Sequence, residues 1–248
     1  MKKLIISIIF FLLIIGVNGQ ILNTASFYVA QPAASGPADF PSIVGSYSRY
    51  DLTSSGTNHP IIITPTGITV GNLIMVVLVT SNSSTWTVNE GVSGASWNIE
   101  DQGVNGSDAS GVVVWKIFEE GDTLALTSSN GSRGAFFSYN ISGHNVSNPL
   151  TVTHAVSNST NANPPSNTPE YGSKNYLWMV YAGMGNYNVA SAAPADFSGL
   201  ATQLAYTSGV SSSVATREYN TDSAYDPGTF TSNYSSWLCF TIIINPEY

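Results

Sequence analysis

No stretch of this chain sustains a helical period; short β-branched and aromatic runs recur instead, separated by Gly, Asn, Ser, Pro and Asp. Segments of that kind read as strands bounded by turns. The candidate strands are 43–49, 61–64, 73–80, 85–88, 111–118, 123–127, 135–142, 150–154, 176–183, 200–207, 212–218 and 237–244. Two of them, 73–80 and 238–244, are almost continuously apolar, as expected of strands covered on both faces. Others alternate: Val112, Val114 and Lys116 face one way, and Val113, Trp115 and Ile117 the other. So many strands with almost no helix predict an all-β fold, a two-sheet β-sandwich of jelly-roll type occupying residues 43–248. The Pro-rich stretch 161–169 reads as a long crossover within that domain, because neither half alone has strands enough for two covered sheets.

The front of the chain follows a different pattern. Met1-Lys2-Lys3, an apolar run over 4–17, and Asn18-Gly19-Gln20 have the order of a secretory signal: basic start, apolar core, small residues at the cleavage point. The run is shorter than the roughly 20 apolar residues of a membrane span. Residues 1–19 are therefore expected to be removed, leaving no membrane span and a secreted, cell-surface product. Residues 20–42 then hold one surplus strand, 21–30, and a tether, 31–41. Ile21, Ala25, Phe27 and Val29 share one face of that strand, interrupted only by Asn23. A period of two is what a strand needs to fill a groove in another sheet, main-chain bonds giving affinity and alternate side chains giving register. An extended tether of about 11 residues spans roughly 30 Å, enough to reach a neighbouring subunit. The expected partners are copies of the same chain, joined into a homopolymer by donor-strand complementation. The alternative is an edge strand of its own sandwich.

Composition removes several function classes. Charged residues make up 9% of the chain and the sequence pI is about 4.6. Apart from Lys2 and Lys3, the basic residues are Arg49, Lys116, Arg133, Lys174 and Arg217, too scattered for a nucleic-acid surface. The single cysteine, Cys239, lies in an apolar run and is expected to be a small buried hydrophobe. Asn-x-Ser/Thr sequons occur at Asn82, Asn105, Asn130, Asn140, Asn145, Asn158 and Asn233, all candidates for glycosylation in an exported protein.

Several motifs follow one another in a recognisable order. Ile68-Thr-Val-Gly-Asn-Leu leads into an apolar strand, and Trp86 and Trp97 come next. Val112-Val-Val-Trp-Lys-Ile-Phe118 then runs to Gly121-Asp-Thr123, and Phe136-Phe-Ser-Tyr-Asn-Ile-Ser-Gly143 precedes Asn148-Pro149. Pro164-Pro165 stands before Asn175-Tyr-Leu-Trp178, and a strand from Trp237 to Pro246 closes the series. In this order residues 43–246 resemble a jelly-roll module of secreted bacterial and archaeal proteins and of phage structural proteins. The resemblance implies a scaffold for adhesion, decoration or assembly, with no catalytic residues to carry over. The segment 20–42 is extra to it.

A direct search for chemistry agrees. His59, His144 and His154 are dispersed, and no nucleophile motif accompanies them. Glu119, Glu120 and Asp122 are neighbours in one turn, and Glu100-Asp101 reads as a loop pair; neither forms the opposed carboxylates of a glycosidase. Two oxygen-rich stretches, Asp101–Asn105–Asp108 and Asn220–Asp222–Asp226, lack the EF-hand spacing. No catalytic residue, cofactor or metal is expected. Lys116 has Asn140 and Asp122 as potential isopeptide partners, but its alternating strand favours a stem lying flat on the sheet with the head in water. Tyr219, Asp222, Tyr225, Asp226 and Tyr234 form the best candidate ligand patch, since exposed tyrosines stack on sugar rings. The sequence reading is thus a non-enzymatic subunit of an extracellular filament, pilus- or thread-like. A monomeric cell-surface adhesin or carbohydrate-binding module, with surface glycans as partners, is the alternative.

Overall fold

The computed structural model describes residues 39–50, 57–61, 67–90, 96–131, 134–185, 188–205, 209–233 and 236–248. The signal segment, the strand 21–30 with Ile21, Ala25, Phe27 and Val29, and Tyr234 lie outside them. Chain contacts divide the protein into Met1–Ser35 and Gly36–Tyr248, and the second unit holds every described strand.

Among the described residues there are thirteen strands and no helix. They are β1 (Ser42–Tyr50), β2 (Asn58–Ile61), β3 (Leu73–Thr80), β4 (Trp86–Glu90), β5 (Asn98–Asn105), β6 (Ala109–Ile117), β7 (Leu124–Ser128), β8 (Gly134–Ser142), β9 (Leu150–Ser157), β10 (Lys174–Met184), β11 (Ser198–Ala205), β12 (Val210–Thr221) and β13 (Trp237–Ile244). One five-stranded antiparallel sheet runs β1-β8-β3-β6-β5, a second runs β11-β12-β10-β13-β9, and a small third sheet runs β2-β7-β4. The all-β two-sheet sandwich expected from the sequence is therefore what the chain adopts. A jelly roll winds two Greek keys through both sheets. Here β1 to β8 supply the first and small sheets, β9 to β13 supply the second, and the described chain passes between the large sheets once, after β8.

Burial explains the layering. Along β3, Leu73, Met75, Val77 and Val79 enter the core between the large sheets, against Met179, Tyr181, Phe240 and Ile242. Its alternate residues Ile74, Val76 and Leu78 face the other way, into a second core roofed by Leu124, Leu126, Trp86 and Ile61 of the small sheet. β13 repeats the arrangement: Leu238, Phe240 and Ile242 point inward, while Cys239 and Ile243 join an outer core closed by Ala162, Ala190, Phe197 and Phe230 from loops. All eight residues of β3 and of β13 are buried, the outcome that their continuous apolar runs imply.

Where the large sheets press closest, glycine is required by space. A Cβ built on Gly183 of β10 would stand 2.4 Å from Val79 Cγ2, and one on Gly111 of β6 would stand 2.5 Å from Leu238 Cδ2. Overpacking of this kind costs about 1–3 kcal/mol. Gly183→Ala is accordingly expected to lower the unfolding free energy by about 2 kcal/mol, read as a lower denaturant midpoint at an unchanged slope.

Candidate functional site

The sandwich has two flanks, and they are built differently. On one, β5 lies over β9 and side chains stitch the seam. Asp101 of β5 pairs with His154 Nδ1 of β9 at 2.8 Å, and the Asn105 amide donates to the carbonyls of Ser157 (2.9 Å) and Trp237 (3.0 Å). On the other flank β1 lies over β11, and a bond from Gln203 Nε2 to Ser48 Oγ crosses between them. At the corner where β1 begins and β12 ends, this flank opens into a cleft of about 330 Å³, lined by Pro41, Ser42, Ile43, Leu177, Ser198, Thr216, Arg217 and Glu218. Ile43 of β1, which lines the cleft, is 36% exposed. Among the described residues β1 and β11 end their sheets, and each has a paired strand on one side only.

The tyrosine patch is brought together and then used internally. Tyr219 and Tyr225 have ring centroids 5.3 Å apart, and the Arg217 guanidinium lies 4.0 Å from the first ring and 4.7 Å from the second. Trp178 meets Tyr225 edge-on at 5.6 Å, and Phe197 stacks on it at 6.4 Å. Arg217 is held in turn by Asp196 at 3.7 Å. These ring contacts fasten the 222–233 loop over the outer core while Tyr219 and Tyr225 stay half-buried. Asp222 accepts from Ser223 Oγ and Asp226 from the Gly228 N–H, so each organises its own turn while remaining exposed.

The sequons separate into two groups. Asn82, Asn130, Asn158 and Asn233 are exposed. They follow β3, precede β8, follow β9 and precede β13 respectively, which places them all at the end of the sandwich opposite Pro41. Asn105, Asn140 and Asn145 are only 8%, 0% and 6% exposed, and the glycosylation expectation is corrected for these three. Asn105 is the seam donor described above. Asn140 accepts from Asn72 Nδ2 and donates to the Gly67 carbonyl, both at 2.8 Å. Asn145 Oδ1 accepts the N–H groups of Ser147 and Asn148, closing the turn before β9. A glycan on Nδ2 of Asn105 or Asn140 would displace the hydrogen bonds that nitrogen donates, and one on Asn145 would start from a side chain turned into the fold.

The remaining candidates have structural partners. The Asp101–Asn105–Asp108 stretch is mostly strand β5 and not a loop; Asp101 is held by His154, Asn105 spans the seam, and Asp108 accepts from Ser236 Oγ. Glu100 accepts from the Trp115 indole at 2.9 Å, and burial raises its pKa. Burial also pushes the Cys239 thiol well above its usual range, which leaves it a poor nucleophile. Lys116 departs from expectation: it is 5% exposed, with its ammonium against Asp122 rather than in water. A scan against models of protein families finds no match to this chain, and neither do searches of curated proteins and of solved structures.

Two measurements check this description. Burial lowers the pKa of His59 and of His144 below the usual 6.5, so the folded state takes up these protons less readily than the unfolded chain. Their contribution to stability is complete above the unfolded value and is lost as pH falls through 6.5 toward the folded values; His59→Gln with His144→Gln should flatten that part of a stability–pH curve. Peptide mapping of material made by a glycosylating host is expected to find sugar on Asn82, Asn130, Asn158 or Asn233 and none on Asn105, Asn140 or Asn145.

Proposed function

We propose that the chain is a secreted, non-enzymatic structural subunit of an extracellular filament, polymerised by donation of residues 21–30 to a neighbouring copy. One observation carries the reading: the three cores of the described residues are built from strands within Ser42–Ile244, and the alternating segment 21–30 read from the sequence comes ahead of them. The β1/β11 flank supports it further. Strand addition needs an unpaired edge and pockets for alternate side chains, and here two sheet edges flank a cleft whose wall begins at Pro41. Sugars on the exposed sequons would decorate the end away from that cleft, leaving the tether's end clear. The competing reading, a monomeric carbohydrate-binding adhesin, loses support from the tyrosine patch, whose rings are engaged by Arg217, Trp178 and Phe197.

Removal of residues 1–41 tests the proposal. The truncated sandwich should stay folded and monomeric by sedimentation and negative-stain microscopy, while the chain beginning at Gln20 forms fibres. A synthetic peptide of residues 20–41 should bind the truncated form and cap growing ends. Fibres from the truncated chain, or monomers from the longer one at every concentration, would overturn strand donation.

A further inference from the structure

The turn between β6 and β7 holds a pair of opposite charges in a place ill suited to either. Lys116 lies on the face of β6 that Val112 and Val114 also occupy, opposite Ile74 of β3, and its side chain is 6% exposed. Asp122 is more deeply buried, with a side chain 1% exposed, and its Oδ1 is in contact with Lys116 Nζ. Its other oxygen, Oδ2, accepts the Glu119 N–H at 2.8 Å, which fixes the carboxyl plane. The Glu119 carboxylate stands 3.5 Å from Nζ and is 63% exposed, linking the buried pair to solvent. Asn140, the other potential partner of Lys116, has its amide engaged with Asn72 and Gly67.

We propose that Lys116 and Asp122 are joined by an intramolecular amide, with Glu119 carrying the proton. Two buried ions each carry a desolvation cost of several kcal/mol, and a neutral amide carries no charge to desolvate. Transfer of the ammonium proton to the carboxylate leaves a neutral amine in contact with a carboxylic acid, so that the reaction between them is intramolecular. The Nζ lone pair adds to Asp122 Cγ, and negative charge develops on Oδ2, where the Glu119 N–H already donates. Glu119 takes a proton from the attacking nitrogen and returns it to Oδ1. The Cγ–Oδ1 bond then breaks, water leaves toward the solvent-exposed side, and an Nζ–Cγ amide remains. The step consumes no oxidant or reductant, and its only by-product is one water.

The bond would tie two layers together. Lys116 belongs to the first large sheet, whereas the turn carrying Asp122 feeds β7, the central strand of the small sheet. The amide would fix the roof of the Leu124–Leu126 core to the sheet beneath it. This inference stands apart from the filament reading and holds for a monomer equally.

Mass spectrometry of the intact folded chain, with its N-terminus determined, decides the matter. The wild-type protein should be lighter than its sequence by one water, whereas cyclisation of Gln20 would remove ammonia. Trypsin should fail to cut after Lys116, and backbone fragments between residues 117 and 121 should be missing from the peptide spectrum. Lys116→Arg and Asp122→Ala should each restore the full sequence mass. Glu119→Gln should leave a measurable fraction uncyclised; complete cyclisation in that variant would remove Glu119 from the mechanism. A wild-type chain at its full sequence mass, or a water loss placed outside residues 116–122, would overturn the bond.

Discussion

β3 and β13 carry apolar residues on both faces, and water reaches neither of them. That double burial sets the number of layers. A two-sheet sandwich covers one face of each sheet; the outer faces of β3 and β13 need roofs of their own. The small sheet supplies one, with Leu124 and Leu126 at its centre, and loops bearing Ala162, Ala190, Phe197 and Phe230 supply the other. Burying a Leu or Phe side chain contributes about 1.5–3 kcal/mol relative to leaving it exposed. The interior can therefore accommodate Ser211, Ser212 and Ser213 in succession on β12, and the surface needs few charges.

Much of this was legible in the residues. The runs at 73–80 and 237–244 coincide with β3 and β13, and the alternation on β6 sends Val113 and Val112 to opposite cores as read. β5 was not legible. Its sequence, Asn98-Ile-Glu-Asp-Gln-Gly-Val-Asn105, is nearly all polar because an edge strand can leave half its residues in water. What recruits it is tertiary: pairing with β6 and the reach of Asp101 and Asn105 across the seam to β9 and β13.

The candidate site was legible in its members but not in their use. Tyr219 and Tyr225 do converge, yet the Arg217 guanidinium packs over both rings, and nothing local in the sequence marks that contact. Sequon spacing likewise says nothing of whether an amide points outward. Asn105, Asn140 and Asn145 fit the pattern and are consumed by backbone and side-chain partners. The same blindness applied to Lys116, whose strand alternates convincingly while its own face is roofed by the small sheet, whose central strand β7 folds back over β6.

The sequential division of the sheets bears on how the molecule is made. By Ser142 the chain contains every strand of the first sheet and of its small-sheet roof; β9 to β13 come afterwards and pair only among themselves. A ribosome delivers the amino-terminal half first. That half can complete its hydrogen-bonded ladders before the second half exists, but its inner face, with Met75, Val77, Phe137 and Tyr139, then has nothing to lean on. The hazard in biogenesis is a finished sheet with an open greasy side, and a holding chaperone for this protein would have that surface to grip.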